Sequence, residues 1–473
     1  MSRAVVIGSG PNGLAAAIVL GRAGVEVEVR EAVEHLGGGL RTEELTLPGF
    51  LHDVCATVLP LAVGSPFLRT LDLPVEWVHP GAPAAHPLDD GTAVVLERSL
   101  DATVEQLGRD GAAYRKLVEP LVEDWDELAP ALLGRIPPPP RRALRALRAA
   151  RLGPLAAGAR AAFGDARSVA ESLFETERAR AWFAGHCAHS MLPLERRPSA
   201  GFGLALAVLG HAVGWPFVLG GSARLADALG ERVRELGGTL VTGSPADELP
   251  HDRLVLADVP PRELVRLAHG RLPERYEQRL RRYRHGPGAF KLDWALDGPI
   301  PWRAEECRRA GTVHLGGTLD EISHSEWGAW TGREVERPFV LLAQPTLFDE
   351  TRAPAGKHSA WAYCHVPNGS GEDLTERIEA QVERFAPGFR DLVLARSVLD
   401  PAALHLRNRN LVGGDLNGGA MDLGQLFARP ALRVAPWSTP LDSVYLCSAS
   451  TPPGGGVHGM CGYWAARAAL AAR

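Results

Sequence analysis

Hydrophobic and polar positions follow three different rhythms along this chain. In the first, short unbroken apolar runs are punctuated by glycine. Ala4-Val5-Val6-Ile7 reads as a strand buried on both faces, running into Gly8-Ser9-Gly10-Pro11-Asn12-Gly13 and then an alanine-rich helix. A second strand, Val25 to Val29, follows the helix, and Glu31 stands at its end. The same rhythm returns where Gly220-Gly221 opens a helix through Leu236 and Leu254 to Ala257 suits a buried parallel strand. It returns again where Ser443 to Cys447 reads as a strand, Pro453 to Gly456 as a turn, and Val457 to Gly462 leads into a helix ending near Leu470. The second rhythm is helical, from Leu100 to about Gly214, and is broken by Pro137-Pro138-Pro139-Pro140, which cannot continue a helix. The third, from about Pro273 to Asp400, alternates, as in Ala289 to Leu296 and Phe339 to Ala343, and predicts a mostly antiparallel sheet. A short strand pair around Glu76 to Val78 and Ala93 to Leu96, joined across Asp89-Asp90-Gly91, opens the second region.

The glycines give the first rhythm its chemistry. Gly8 permits a tight turn, Gly10 lets the backbone approach a pyrophosphate, and Gly13 allows close packing of helix on strand. Phosphates then sit on a helix N-terminus, where free N–H groups and the dipole favour negative charge. Glu31 is placed to accept from a ribose hydroxyl. A second glycine turn with a cation, Gly37-Gly38-Gly39-Leu40-Arg41-Thr42, follows at once and can meet the same pyrophosphate. With the turn before Val457, glycine-opened helix starts near both termini can converge on one long ligand. The candidate cofactor contacts are Gly8, Gly10, Pro11, Asn12, Gly13 and Glu31, then Gly38, Gly39, Arg41 and Thr42, and finally Gly455, Gly456, Val457 and His458.

These segments, together with Gly220 to Leu229, Pro287 to Leu296, His365 to Gly369, Glu383 to Gly388 and Gly413 to Gly419, resemble the phytoene desaturase-like flavoproteins over nearly the whole chain. That family is also called phytoene dehydrogenase-related or pyridine nucleotide-disulfide oxidoreductase domain-containing. The resemblance implies tightly but noncovalently bound FAD, with the N-terminal turn on the ADP half and the C-terminal turn near the flavin. It has departures: the stretch from Thr242 to Leu254 is short by most of a hairpin, Cys55 and Ser448 replace glycines, and Pro452 replaces a frequent histidine. The expected fold is α/β, a Rossmann-type FAD-binding domain from residues 1–72, 215–272 and 401–473. It is interrupted by a substrate domain of mixed or antiparallel sheet and helices from residues 73–214 and 273–400.

Composition narrows the classes. The 473 residues, 45% hydrophobic and 23% charged with a formal net charge of −5, describe an ordinary globular protein and argue against a general nucleic-acid binder. The first residues enter a buried strand directly, leaving no room for a signal peptide, and no apolar run is long enough to span a membrane; the expected place is the cytoplasm. Six cysteines include no Cys-x-x-Cys pair, so neither a redox dithiol nor a clustered metal site is expected. Between Glu127 and Asp165 there is no carboxylate, while arginines from Arg135 to Arg160 alternate with leucine and alanine. That segment is either a basic surface helix for anionic lipid, giving peripheral membrane contact, or a solvated helix face forming part of a lid.

Flavin chemistry asks little of side chains, because the cofactor carries the reaction and the protein orients the substrate. Lys291 and Asp293 share one face of a strand and are either catalytic or a cross-strand ion pair. Asp415 and Asn417, in a glycine-rich loop, are either catalytic or turn-forming. His458 either contacts the flavin or packs. His52 and Asp53, after the glycine-arginine turn, are candidates to border the flavin ring, His365 to line the chamber, and Tyr463 and Trp464 to pack in the helix core or on the flavin. Gly413 to Gly419 lacks the flanking strand and helix of a second dinucleotide site, so NAD(P)H is not an expected partner, and no Gly-x-Ser-x-Gly elbow follows a strand. The expectation is an FAD-dependent oxidoreductase that takes hydrogen from a C–H bond of a largely apolar small molecule, such as an isoprenoid-like one, with oxygen, a quinone or another acceptor reoxidising the flavin. The alternatives are a flavin amine or amino-acid oxidase and a catalytically silent flavin-bound interaction protein; the oligomeric state is not set by the sequence.

Overall fold

A computed structural model describes residues 3–134 and 156–472, and two sheets organise them. The first is fully parallel and built from β1 (Arg3–Ile7), β2 (Glu26–Arg30), β9 (Thr239–Val241), β10 (Leu254–Ala257) and β16 (Val444–Leu446), in the order β16-β10-β1-β2-β9. Beyond the exposed Arg3, β1 and β10 are apolar because helices cover both faces of this sheet. The helix Pro11–Arg22 packs on one face with the helices Ala223–Glu235 and Met460–Ala471. Its seat against the last helix is close: a Cβ on Gly462 would lie 1.8 Å from the carbonyl oxygen of Asn12, so only glycine fits there.

The second sheet has seven strands in the order β15-β11-β14-β13-β12-β6-β7. They are β6 (Ala82–Pro87), β7 (Ala93–Leu96), β11 (Gly288–Leu296), β12 (Ala310–Leu315), β13 (Val340–Ala343), β14 (His358–Val366) and β15 (Val393–Leu399). Every neighbouring pair is antiparallel except β12 with β6. One face packs on Ile378, Val382 and Phe385, and the other meets a helical layer that includes Glu177–Ala188 and Ser199–Ala212.

Two sequence expectations are corrected. β5 (Trp77–Val78) does not pair with β7; it pairs with β8 (Phe217–Val218), and the hairpin across Asp89-Asp90-Gly91 joins β6 to β7. β6 escapes the pattern because Ala82-Pro83-Ala84-Ala85-His86-Pro87 has two prolines and no β-branched residue, yet all six positions are buried. The last helix starts at Met460 behind Gly459, which takes a positive φ, rather than at Gly456. Most of the segment from Arg135 to Arg160 lies outside the described residues; at its end Arg160 is exposed on the helix Ala156–Ala162. Among the described residues no helix is long and apolar enough to cross a membrane.

Candidate functional site

The parallel sheet reverses its winding between β1 and β10: from β1 the chain proceeds to β2 and β9 on one side, and β10 leads to β16 on the other. In open α/β sheets the crevice beyond the carboxyl ends at this point is where ligands bind. Gly8 leaves β1 there and Asp258 leaves β10, and the two backbones touch, the Asp258 N–H donating to the Ile7 carbonyl at 2.7 Å. A Cβ on Gly13 would lie 2.1 Å from the Gly8 carbonyl oxygen, which is why the helix can start directly over the turn.

Asp258 was not legible as a site residue. Its Oδ2 accepts from the Gly13 N–H at 3.0 Å, and a Cβ on Gly10 would sit 2.7 Å from the same oxygen. The helix therefore receives its N-terminal acceptor from a distant strand, since Gly10 has no side chain to cap it and Pro11 carries no N–H. Burial, with the Glu31 charge added, pushes the Asp258 carboxyl up to about 7, against the Gly13 hydrogen bond. With the folded value above the unfolded 3.8, stability is full below pH 3.8 and declines as the pH rises to 7. An Asp258→Asn variant escapes this loss, so it is expected to exceed the unliganded parent by roughly 4 kcal/mol at pH 8 and by well under about 1 kcal/mol near pH 4. Urea midpoints of both proteins across this range check it; parallel curves count against it.

Glu31 holds the first turn in place. One of its oxygens accepts from the Ser9 N–H at 2.9 Å and Ser9 Oγ at 2.6 Å, the other from the Val33 N–H at 3.2 Å. Arg41, almost fully buried, donates from Nε to the Gly38 carbonyl at 3.1 Å and reaches the Arg407 carbonyl with its guanidinium. Both side chains border a cavity of about 630 Å³ that also touches Gly8, Gly10, Pro11, Asn12, Gly38, Gly39, Gly456 and Val457. It continues past Cys55 and Asn417 to Leu341, Trp361 and Tyr363 of the second sheet and to Leu206 and Trp215 of the helical layer.

Several sequence candidates stand elsewhere. Thr42 on β3 (Thr42–Glu43) donates to Asp53 of β4 (His52–Asp53) at 2.7 Å and accepts from the Ala223 N–H at 3.1 Å, so it ties two elements together and does not line the cavity. Gly455 packs on Asn417 behind the wall. His458 also lies behind it: Nδ1 accepts from the Met460 N–H at 3.0 Å, and burial pushes the imidazole down to about 4. Asp415 is a turn residue, its carboxylate accepting from the Asn417 and Gly286 N–H groups at 2.9 and 3.1 Å and facing His285.

Lys291 and Asp293 do pair, along one strand rather than across two: Nζ lies 2.5 Å from both carboxylate oxygens. His52 Nδ1 is 3.5 Å from Asp293, and the ammonium lies 5.8 Å from the Trp361 ring centre, just behind the wall formed by Trp361 and Cys55. Asp53 faces Ser222 and Arg352, and His365 faces Glu326 at 2.8 Å, both inside the protein and off the cavity. Tyr463 and Trp464 pack, on Phe67 and Trp437. Besides Asp258, sequence reasoning missed Thr57, His189, Trp215 and Thr312 on the wall. The only signal for Asp258 was a carboxylate directly after a buried strand; single wall residues on separate elements leave none.

Comparison with known proteins fits this architecture. A model of the NAD(P)-binding Rossmann-like domain matches residues 6–73. Pyridine nucleotide-disulfide oxidoreductase domain-containing protein 2 of Rattus norvegicus is 27% identical, the match covering 97% of this chain and 91% of that protein. Phytoene dehydrogenase of Streptomyces griseus is 28% identical over 83% of this chain and 77% of that one. The chain is a relative of the phytoene dehydrogenase-related oxidoreductases. A shorter likeness, 34% identity over 28% of the chain and 25% of the other protein, is to a limonene dehydrogenase component of Castellaniella defragrans. In fold this relative resembles an oxidoreductase from Methanosarcina mazei (TM-score 0.67, 18% identity, 99% and 100% of the two chains). It also resembles putrescine oxidase bound to putrescine (TM-score 0.62, 16% identity, 100% and 99%).

Proposed function

We propose that this protein is an FAD-dependent dehydrogenase that removes a hydride from a C–H bond of a largely apolar substrate. The observation that carries the reading is the continuity of the cavity, which begins in the glycine-turn crevice and ends among aromatic and aliphatic side chains. The residues fit a flavin dinucleotide. Gly10 lines the crevice and sits against Asp258 only because it lacks a Cβ, Arg41 offers a cation nearby on the wall, Glu31 stands at the end of β2, and Gly456 and Val457 bring in the C-terminal turn. Bound FAD supplies the hydride acceptor. The protein's part is positioning: Trp361, Tyr363, Leu341 and Leu206 exclude water and align an apolar chain along the sheet.

The acidic residues on the cavity wall, Glu31, Asp258 and Glu263, belong to the nucleotide end; none lines the far end among the described residues. An ammonium there would lack a counter-charge, which favours an uncharged substrate over an amine. The relatives named phytoene dehydrogenase and limonene dehydrogenase support a hydrocarbon-like one. Oxygen, a quinone or another acceptor completes the cycle in a cytoplasmic protein.

Purified protein is expected to carry one yellow flavin per chain, and anaerobic addition of isoprenoid hydrocarbons to bleach it within minutes. Rapid bleaching by amines with peroxide formation, and none by hydrocarbons, overturns the reading in favour of an amine oxidase. A flavin that no organic donor bleaches makes the protein an interaction partner rather than an enzyme.

A further inference from the structure

The floor of the cavity is one face of the second sheet, and the register puts specific side chains in a row across it. Lys291 is opposite Tyr363, Tyr363 opposite Leu341, and Leu341 opposite His314, on β11, β14, β13 and β12. Thr312, two residues before His314 on the same face, lines the cavity at this end. His189, just past the helix Glu177–Ala188, lines it from above and meets His314, Nε2 to Nε2, at 2.9 Å.

Two more buried imidazoles stand behind this pair, and their partners fix their tautomers. His86 donates Nε2–H to the Gly317 carbonyl at 2.9 Å, leaving Nδ1 as a bare acceptor without a partner. His186 donates Nδ1–H to the Trp182 carbonyl at 2.8 Å, leaving Nε2 equally bare, and its ring centre is 5.0 Å from that of His314. His314 Nδ1 has no hydrogen-bond partner and flanks the same spot as His86 Nδ1: a Cβ on Gly185 would lie 2.9 Å from the first and 3.3 Å from the second. A lone pair on His86 Nδ1 favours a proton on His314 Nδ1 over a second lone pair facing it. His314 Nε2 is then an acceptor, His189 Nε2–H is its donor, and His189 Nδ1 is left as a bare acceptor on a residue that lines the cavity. Burial holds His86 and His186 near 4 and His189 near 3, so the cluster is neutral at physiological pH.

We infer that the far end of the chamber binds a hydroxyl group, so that the substrate is an elongated apolar molecule carrying an alcohol at one end, its O–H donating to His189 Nδ1. This rests on the proposed dehydrogenase reading and names its substrate class. His314, which holds His189 in place, stands three strand spacings along this row from Lys291, about 14 Å away. A neutral acceptor gives no counter-charge to a carboxylate or an ammonium, and a site built around a hydrogen bond discriminates strongly against analogues that cannot make it.

The test uses the full-length protein as purified, with Trp215 and Trp361 on the cavity wall as fluorescent reporters. Dodecan-1-ol, the methyl ether of matching length, which accepts but does not donate, and dodecane are titrated in turn. The alcohol is expected to bind at least about tenfold more tightly than either analogue, and His189→Leu to reduce that ratio to below about twofold. The wild-type comparison needs no variant, so it stands even where His189→Leu folds poorly. An alcohol that binds no better than the ether or the alkane, one that does not bind, or a preference that survives in folded His189→Leu overturns the inference. The reporters do not depend on flavin. Yellow protein without the preference defeats this inference alone, and colourless protein with it defeats the dehydrogenase reading alone.

Discussion

Arg352→Met is expected to lower the stability of the protein by about 3–5 kcal/mol, because it strands a carboxylate in the interior. Asp53 and Arg352 are both inaccessible to solvent, and the guanidinium donates to Asp53 Oδ2 at 2.6 Å. Oδ1 accepts from Thr42 Oγ1 at 2.7 Å, the Ser222 N–H at 2.8 Å and Ser222 Oγ at 3.0 Å. Burial by itself would raise the Asp53 carboxyl, but the charge and hydrogen bond of Arg352, with Ser222 and Thr42, hold it below the usual 3.8. The pair's contribution is therefore present above pH 3.8 and lost as the pH falls through the lower folded value, so the penalty of Arg352→Met shrinks in acid. Adding Asp53→Asn to Arg352→Met removes the stranded charge and is expected to restore about 2 kcal/mol or more. Urea midpoints at pH 7 and pH 3 for parent, single and double variants decide this; a single variant within about 1 kcal/mol of the parent at pH 7 excludes it. The consequence reaches the site, because this knot anchors the β3–β4 ribbon that follows Arg41 to the helix after Ser222.

Gly13→Val is expected to abolish nucleotide binding. The added carbon meets the Gly8 carbonyl, a backbone atom no rotamer change can move, and lies 3.2 Å from Asp258 Oδ2. Helix and turn must separate, which costs about 1–3 kcal/mol or more in stability and misplaces the amides facing the crevice. A flavin affinity weaker by at least ~100-fold, or protein that purifies colourless, is the outcome sought by equilibrium dialysis against FAD. Retention of parental affinity would show that the turn is no phosphate cradle. Gly24, whose Cβ would meet nothing within 4 Å, provides the control: Gly24→Asn should leave flavin uptake intact.

What could be read from the sequence was local. The turn from Gly8 to Gly13 announces itself because strand, glycines and helix are contiguous, and β10 does so because four buried apolar residues leave no other reading. Non-local pairing defeated the rest. β5 finds its partner beyond the whole helical region, and β6 lacks every residue type that marks a strand. Thr42 and His458 have the chemistry of ligands, but Thr42 is spent on Asp53 and Ala223 and His458 turns Nδ1 to Met460 behind the cavity wall, which only the fold discloses. Asp258 and His189 carry the opposite lesson: isolated polar residues gained significance from a helix start 245 positions away and from an imidazole arriving on another element.

The glycine contact between Asn12 and Gly462 also bears on biosynthesis. The first Rossmann unit leaves the ribosome long before β16 or the helix seated on it exists, so β10 waits with an unpaired edge and the crevice lacks its third side. On the proposed function, flavin would meet a complete crevice only once the C-terminal turn and helix have joined it.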